Sequence, residues 1–210
     1  IMKKDVIDKL DIYRLQTSEE LLKYYQNWAD NNKYNKDMVD WNYTAPREAV
    51  SILKKYAFNK NFKILDAGCG TGLVGGILYN KEYKNIVGVD FSQQMLDRAL
   101  KKNIYQSLNL CDLTQKLDFK DDAFDAIICA GTFTCGHVGP ETLYEMVRIT
   151  KNGGYISFTV RKQEWETSPY EKIIKDLENS KLWQQIEHHT SDYNVQEGVS
   201  CQLCLYQVTS

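Results

Sequence analysis

An α/β fold, with a mostly parallel sheet covered by helices on both faces, is what this sequence predicts. Three observations carry that expectation. Between Lys63 and Val160, short apolar runs alternate with segments whose apolar residues recur at helical spacing. The first apolar run opens into Gly68-Cys69-Gly70-Thr71-Gly72, a glycine-rich turn of the kind that joins strand to helix at a ligand site. The last two strand-like runs are joined by a short turn-rich segment from Asp192 to Gly198. That favours an antiparallel hairpin at the sheet edge, because a parallel return needs a longer crossover.

The elements follow in chain order. Val6, Ile7, Leu10 and Tyr13 share one face of a first helical stretch. A second helix starts at Thr17 or Ser18, either of which can cap it, and carries Leu21, Leu22, Tyr25 and Trp28 on one side. Residues 30–44 are rich in Asn, Asp and Tyr and read as a loop. Pro46 suits a first helical turn, and Ala49, Val50, Leu53 and Tyr56 give the face that follows. The strands are then Ile64–Ala67, Ile86–Asp90, a weaker Tyr105–Leu110, Phe124–Ala130 and Tyr155–Val160. Between them lie a helix with Leu73, Val74, Ile77 and Leu78, one capped by Ser92, and one begun by Pro140 and closed by Asn152-Gly153-Gly154. A helix at about 169–181 and strands near 184–190 and 199–208 close the chain.

Composition narrows the class. The chain has 210 residues, of which 26 are basic and 28 acidic, for a net charge of −2. That gives no electrostatic case for a nucleic-acid or membrane-surface binder. No apolar run reaches the roughly 20 residues of a membrane helix. The start, Ile1-Met2-Lys3-Lys4-Asp5, is charged early, so no signal peptide and a cytoplasmic location are expected. The six cysteines fit reduced thiols. Cys201 and Cys204 have metal or redox spacing, but a strand there points them to opposite faces, and no second pair or histidine set completes a metal site.

In open α/β sheets, ligands bind outside the carboxyl ends of the strands. Here those ends carry Asp66, Asp90, Asp112 and Ala130–Thr134. The glycine turn lets backbone N–H groups approach a ligand closely. A dinucleotide fingerprint would place its third glycine at position 73, which is Leu73, and Asp66 would repel a pyrophosphate. Asp66 suits instead a ligand bearing an ammonium and a sulfonium. Asp90 lies 20 residues beyond Gly70 and can accept from two ribose hydroxyls, at roughly 1.5–3 kcal/mol for each charge-assisted bond. Phe91 and Met95 are placed to wall an adenine, and Asp112 to accept from its amino group.

These residues carry a family resemblance. Ile64 to Gly72, Val87 to Ser92 with Met95-Leu96, Cys111-Asp112-Leu113, Phe124-Asp125-Ala126-Ile127 and Lys151-Asn152-Gly153-Gly154 resemble the successive motifs of class I S-adenosylmethionine-dependent methyltransferases. A narrower resemblance, to the Williams-Beuren syndrome critical-region methyltransferase-like proteins, rests on Gly70 to Gly75, Asp112-Leu113-Thr114, Gly131 to Pro140, Tyr43 to Pro46 and Trp28-Ala29. The resemblance implies a Rossmann-like seven-stranded sheet whose last strand inserts antiparallel. It also implies an N-terminal helical lid, residues 1–45, folding over the cofactor held by a domain at 46–210. S-adenosylmethionine is the implied cofactor and S-adenosylhomocysteine its product. The implied site comprises Trp28, Tyr43, Asp66, Gly68, Cys69, Gly70, Thr71, Gly72, Leu73, Asp90, Phe91 and Met95. It continues with Cys111, Asp112, Leu113, Ala130, Gly131, Thr132 and His137.

Methyl transfer from a sulfonium needs alignment above all, which is worth roughly 7–11 kcal/mol of barrier. His137, the one histidine on the loop after the fourth strand, is read as a cofactor anchor, a general base or a plain loop residue. The aromatic N-terminal residues, Tyr24, Tyr25, Trp28, Tyr34, Trp41 and Tyr43, form the candidate lid. Arg161 is a candidate for an acidic acceptor group. The fourth strand ends in Ala130-Gly131-Thr132-Phe133 rather than an Asn-Pro-Pro-Tyr element, and no basic stripe awaits phosphate. The expected acceptor is therefore a small molecule. A protein acceptor, or a cofactor-binding role without catalysis, stays open.

Overall fold

The structure, a computed structural model, describes residue 15 and residues 17–29, 33–134 and 138–209. The helical stretch expected around Val6 to Tyr13 lies outside the described residues.

Helix α1 (Ser18–Ala29) begins with a reciprocal cap. Thr17 Oγ1 accepts from the Glu20 N–H, while Glu20 Oε2 accepts from the Thr17 N–H at 3.1 Å. Helix α2 (Lys33–Asp40) falls where the sequence suggested a loop. Its Asn and Asp content hides a helical stripe, Tyr34, Met38 and Trp41, that gains a partner only in three dimensions. Trp28 Nε1 donates to Asp37 Oδ2 at 2.7 Å, and the Trp28 ring meets Tyr34 edge-on at 4.8 Å. Helix α3 (Ala45–Lys54) has proline in its first turn, as expected.

The sheet then builds from β1 (Ile64–Ala67), β2 (Ile86–Asp90), β3 (Ser107–Leu110), β4 (Phe124–Phe133), β5 (Thr150–Arg161), β6 (Trp183–Asn194) and β7 (Val199–Val208). Its order is β3-β2-β1-β4-β5-β7-β6. The first five strands are parallel, and β7 runs antiparallel between β5 and β6. The expected seven-stranded sheet and edge hairpin are both present. Side chains alternate across the sheet as the pleat requires. Leu65, Val87, Ile127 and Phe158 pack beneath α6 (Thr142–Ile149) and α8 (Tyr170–Asn179). Ile64, Ile86, Ala126 and Ile128 pack beneath α3 and α4 (Leu73–Asn80). Helix α5 (Gln93–Leu100) connects β2 to β3, and Ser92 Oγ caps it by accepting from Met95 N–H.

Two further features differ from expectation. Helix α6 ends by running straight into β5 at Thr150, whose hydroxyl donates to the Met146 carbonyl at 2.7 Å. Asn152-Gly153-Gly154 therefore lies inside β5, where Gly153 takes a φ of +79° and the β4 register shifts. Helix α7 (Lys162–Thr167) is a short element that the sequence did not suggest; it buries no residue of its own and so leaves no apolar periodicity. Cys201 and Cys204 are both buried, one packed with Ala45 and Tyr193 and the other with Phe158 and Tyr206, so they face opposite ways as expected. Among the described residues, no group of His, Cys, Asp and Glu could hold a metal ion, and no helix is long and apolar enough to cross a membrane.

Candidate active site

The carboxyl ends of β1, β2, β3 and β4 enclose a cavity of about 680 Å³, part of it open to solvent. Its floor is the glycine turn. Gly68 and Cys69 both donate backbone N–H bonds to Val89 O at 2.9 Å, which ties the turn to β2. Gly70 lines the cavity at a φ of +53°, and a Cβ there would project into open space. The turn is thus bare backbone facing the cavity, in a conformation that L side chains resist.

Asp90 is the best-defined polar group of the wall. Its Oδ2 accepts from Gly70 N–H at 2.8 Å and its Oδ1 from Ser92 N–H at 2.9 Å. Those bonds favour the charged form, but burial outweighs them and pushes the carboxyl up to about 6. Each oxygen keeps a lone pair for a ligand hydroxyl. Beside Asp90 stand Phe91, Met95, Leu113 and Val138, an apolar slot open to Asp112 and Cys111. Asp112 Oδ1 accepts from the Thr114 N–H at 2.9 Å and from its hydroxyl at 2.7 Å, so one oxygen fixes the turn. Ala130, Gly131 and Thr132 close the β4 side. Gly131 N–H donates to Thr159 Oγ1, and a Cβ on Gly131 would lie 1.9 Å from the Tyr43 hydroxyl. Only glycine lets Tyr43 approach so closely.

Eleven of the residues expected in the site thus line one cavity: Gly68, Gly70, Asp90, Phe91, Met95, Cys111, Asp112, Leu113, Ala130, Gly131 and Thr132. The others stand elsewhere. Trp28 and Tyr43 line an adjoining chamber. Cys69 turns inward against Gly88, and burial pushes its thiol well up, away from nucleophile chemistry. Thr71 Oγ1 donates to Asn35 Oδ1 at 2.6 Å, tying the turn to α2. Gly72 caps α4 with a φ of +84° and accepts from Lys102 Nζ through its carbonyl. Leu73 packs with the aromatic residues of α1 and α2.

Asp66 lies behind the wall. Its Oδ2 accepts from Gly75 N–H at 3.1 Å and from the Tyr105 hydroxyl at 2.7 Å, while Oδ1 is buried with no partner among the described residues. Burial pushes its carboxyl up to about 7 against the pull of both hydrogen bonds. His137 lies outside the described residues. Arg161 lines neither the cavity nor the adjoining chamber; its Nη1 donates to Gln163 Oε1. His188 pairs with Gln202 at 2.9 Å on the far hairpin.

Sequence reasoning missed Leu21 and Val138 as wall residues, and left Tyr25 and Tyr34 as general lid aromatics. The signal for Tyr34 was present in the Tyr34–Met38–Trp41 spacing. Burial and the nearby charges of Asp90 and Asp66 raise the Tyr34 hydroxyl well above its ordinary range, so it stays protonated over the cavity.

Residues 65–158 match a methyltransferase domain family. The chain is 32% identical over 169 residues to "Methyltransferase-like protein 27" of Homo sapiens, covering 78% of this chain and 68% of that protein. It is 36% identical over 107 residues to the "18S rRNA (guanine-N(7))-methyltransferase" of Bos taurus, covering 51% of this chain and only 37% of that enzyme. Among solved structures, a Burkholderia thailandensis "1,6-didemethyltoxoflavin-N1-methyltransferase" with bound S-adenosylhomocysteine superposes with a TM-score of 0.64. The match covers 93% of this chain and 92% of that one at 14% identity, so it speaks to the fold.

Proposed function

The chain belongs to the class I S-adenosylmethionine-dependent methyltransferases, and from that premise we propose that it methylates a small-molecule acceptor. The residues of the cavity fit the cofactor. Asp90 offers two acceptor oxygens suited to a ribose diol, and Gly68 and Gly70 offer a turn with no side chains in the way. Met95, Leu113 and Val138 offer an apolar slot for adenine, with Asp112 at its edge for an amino group. When bound, the cofactor supplies an activated methyl group on sulfur. The protein's own part is to hold the acceptor in line, exclude water and keep the cavity closed.

Enclosure is the observation that carries the small-molecule reading. Leu21 and Tyr25 of α1 and Tyr34 of α2 form one side of the cavity, and Tyr25 meets Phe91 edge-on at 5.7 Å. The lid of residues 1–45 is proposed to act through these helices. They are pinned to the body by the bridge between Tyr43 and Asn194 and by Thr44 Oγ1 donating to Asp192 O at 2.7 Å. With these helices covering that side, the space left in the cavity suits a small molecule better than a polymer. The bovine relative's name specifies an rRNA base, and a net charge of −2 here does not favour that acceptor.

Calorimetric titration tests the cofactor on which the reading rests. S-adenosylmethionine and S-adenosylhomocysteine are expected to bind in the micromolar range, and NADH to give no heat. Binding of NADH with neither sulfur ligand bound would overturn it. Hydrogen exchange tests the lid separately. Amides of residues 17–29 and 33–43 are expected to slow when S-adenosylhomocysteine binds, because Leu21, Tyr25 and Tyr34 then pack on a filled cavity. Equal exchange with and without ligand would reject the lid.

A further inference from the structure

Tyr34 lines both the cofactor cavity and the adjoining chamber, whose other walls include Trp28, Trp41, Tyr43 and Tyr193. Three contacts hold it there. Its ring meets Trp28 edge-on at 4.8 Å, and Asp37 Oδ2 pins Trp28 by accepting from its Nε1. The next residue, Asn35, accepts from the Thr71 hydroxyl at 2.6 Å, which fastens α2 to the glycine turn. The side chain is thus placed before any ligand arrives. Among the described residues the Tyr34 hydroxyl makes no hydrogen bond, and its oxygen is not sealed within protein as Asp66 Oδ1 is.

The shape and charge of the cofactor decide which part of it reaches Tyr34. Its adenine is assigned above to the slot of Met95 and Leu113, beyond β2 and β3, and its ribose to Asp90. The amino-acid arm then leaves the ribose toward the β1 and β4 side, where Gly68, Gly131 and Tyr34 line the cavity. That arm carries an ammonium and a carboxylate. Asp90 stands in the wall below it and Asp66 behind that wall, and both attract the ammonium and repel the carboxylate. The carboxylate is therefore turned away from them, toward the lid. Burial and the charges of the same two acids keep the Tyr34 hydroxyl protonated, so it meets the carboxylate as a donor.

We propose that Tyr34 is a cofactor-binding residue whose hydroxyl donates a hydrogen bond to the carboxylate of the cofactor's amino-acid arm. The inference rests on the methyl-transfer reading above. An O–H donor on an ionised acceptor makes a bond about twice as strong as a neutral pair. The bond also does more than add affinity. Tyr34 belongs to α2, so a ligand that carries the carboxylate draws that helix onto the glycine turn, in the same sense as the Thr71 bond to Asn35. The sulfur lies between ribose and arm. Asp90 on one side and Tyr34 on the other thus fix the direction in which the methyl group is presented.

The test pairs one substitution with one change in the ligand. The probes are S-adenosylmethionine and its decarboxylated form, which keeps the ammonium and the sulfonium and lacks only the carboxylate. Binding of each to the full chain is measured by calorimetry at pH 8. Tyr34→Phe keeps the ring against Trp28 and removes the hydroxyl. It should raise the Kd of S-adenosylmethionine at least about tenfold and leave that of the decarboxylated ligand within about twofold. An equal loss for both ligands, or no loss for S-adenosylmethionine, would overturn the proposal. A second measurement needs no variant. In the wild type at equal saturation, S-adenosylmethionine should slow hydrogen exchange at amides 33–43 more than the decarboxylated ligand does. Equal protection by the two would also overturn it. Wild-type binding of both ligands with either pattern missing defeats this inference alone, whereas binding of neither removes the reading beneath it.

Discussion

Asp90→Ala is expected to weaken S-adenosylhomocysteine binding by about 2–4 kcal/mol, roughly a 30- to 900-fold rise in Kd. The carboxylate has two tasks. It organises the turn by accepting from Gly70 and Ser92 backbone N–H groups, and it presents its remaining lone pairs to the cavity. Alanine removes both, so the turn loses its anchor as well as its acceptor. Asp90→Asn separates the tasks, because it keeps the shape while losing the charge; its loss should fall at the lower end of that range. Asp90 also makes the affinity pH-dependent. Burial raises its carboxyl to about 6 in the free protein, and hydrogen bonds from ligand hydroxyls favour the charged form. Binding therefore expels a proton at acid pH. Kd should be flat above about pH 7 and rise as pH falls through 6, approaching about tenfold per unit. Calorimetry of wild type and both variants between pH 5 and 8 checks these statements. A wild-type Kd that does not move between pH 5 and 8 would take Asp90 out of contact with the ligand.

Asp66→Asn is expected to stabilise the ligand-free protein at pH 8, by up to about 4 kcal/mol relative to wild type. The figure follows from a carboxyl raised from 3.8 to about 7, at about 1.4 kcal/mol per unit. The raised value means that the folded state holds this proton where the unfolded chain has released it. The stability tied to Asp66 is thus fully present below about pH 4 and is lost as pH rises through 7. Asparagine stays neutral throughout. Its Oδ1 can accept from Gly75 N–H and Tyr105 Oη as Asp66 Oδ2 does, and the orphaned position remains orphaned in both residues. Urea midpoints at pH 8 and pH 4.5 test this: the advantage should be large at the first and fall to about a quarter of that at the second. A variant less stable than wild type at pH 8 would show that the Asp66 charge is compensated. The compensating partner to look for first would be Lys102, which lies close enough to lower the Asp66 carboxyl.

Most of the sheet and the floor of the site are legible in the residue pattern. Strands β1, β2 and β4 are buried on both faces, so they read as unbroken apolar runs, and their ends carry Asp66, Asp90 and Ala130 into view. The glycine turn is legible because its backbone conformation restricts the residue type, which is a local requirement. Tertiary structure decided what depends on partners distant in the chain. Helix α2 looks like a polar loop until Trp28 and Asp37 meet and Asn35 takes the Thr71 hydroxyl. Asp66 looks like a ligand group until Tyr105, 39 positions away, closes over it. The aromatic chamber needs Tyr43 and Tyr193 side by side, a pairing made by one β-bridge between chain ends. Periodicity and turn chemistry act over a few residues, so they are written in sequence. Burial, carboxyl titration and the second chamber arise only where distant segments exclude water from one another.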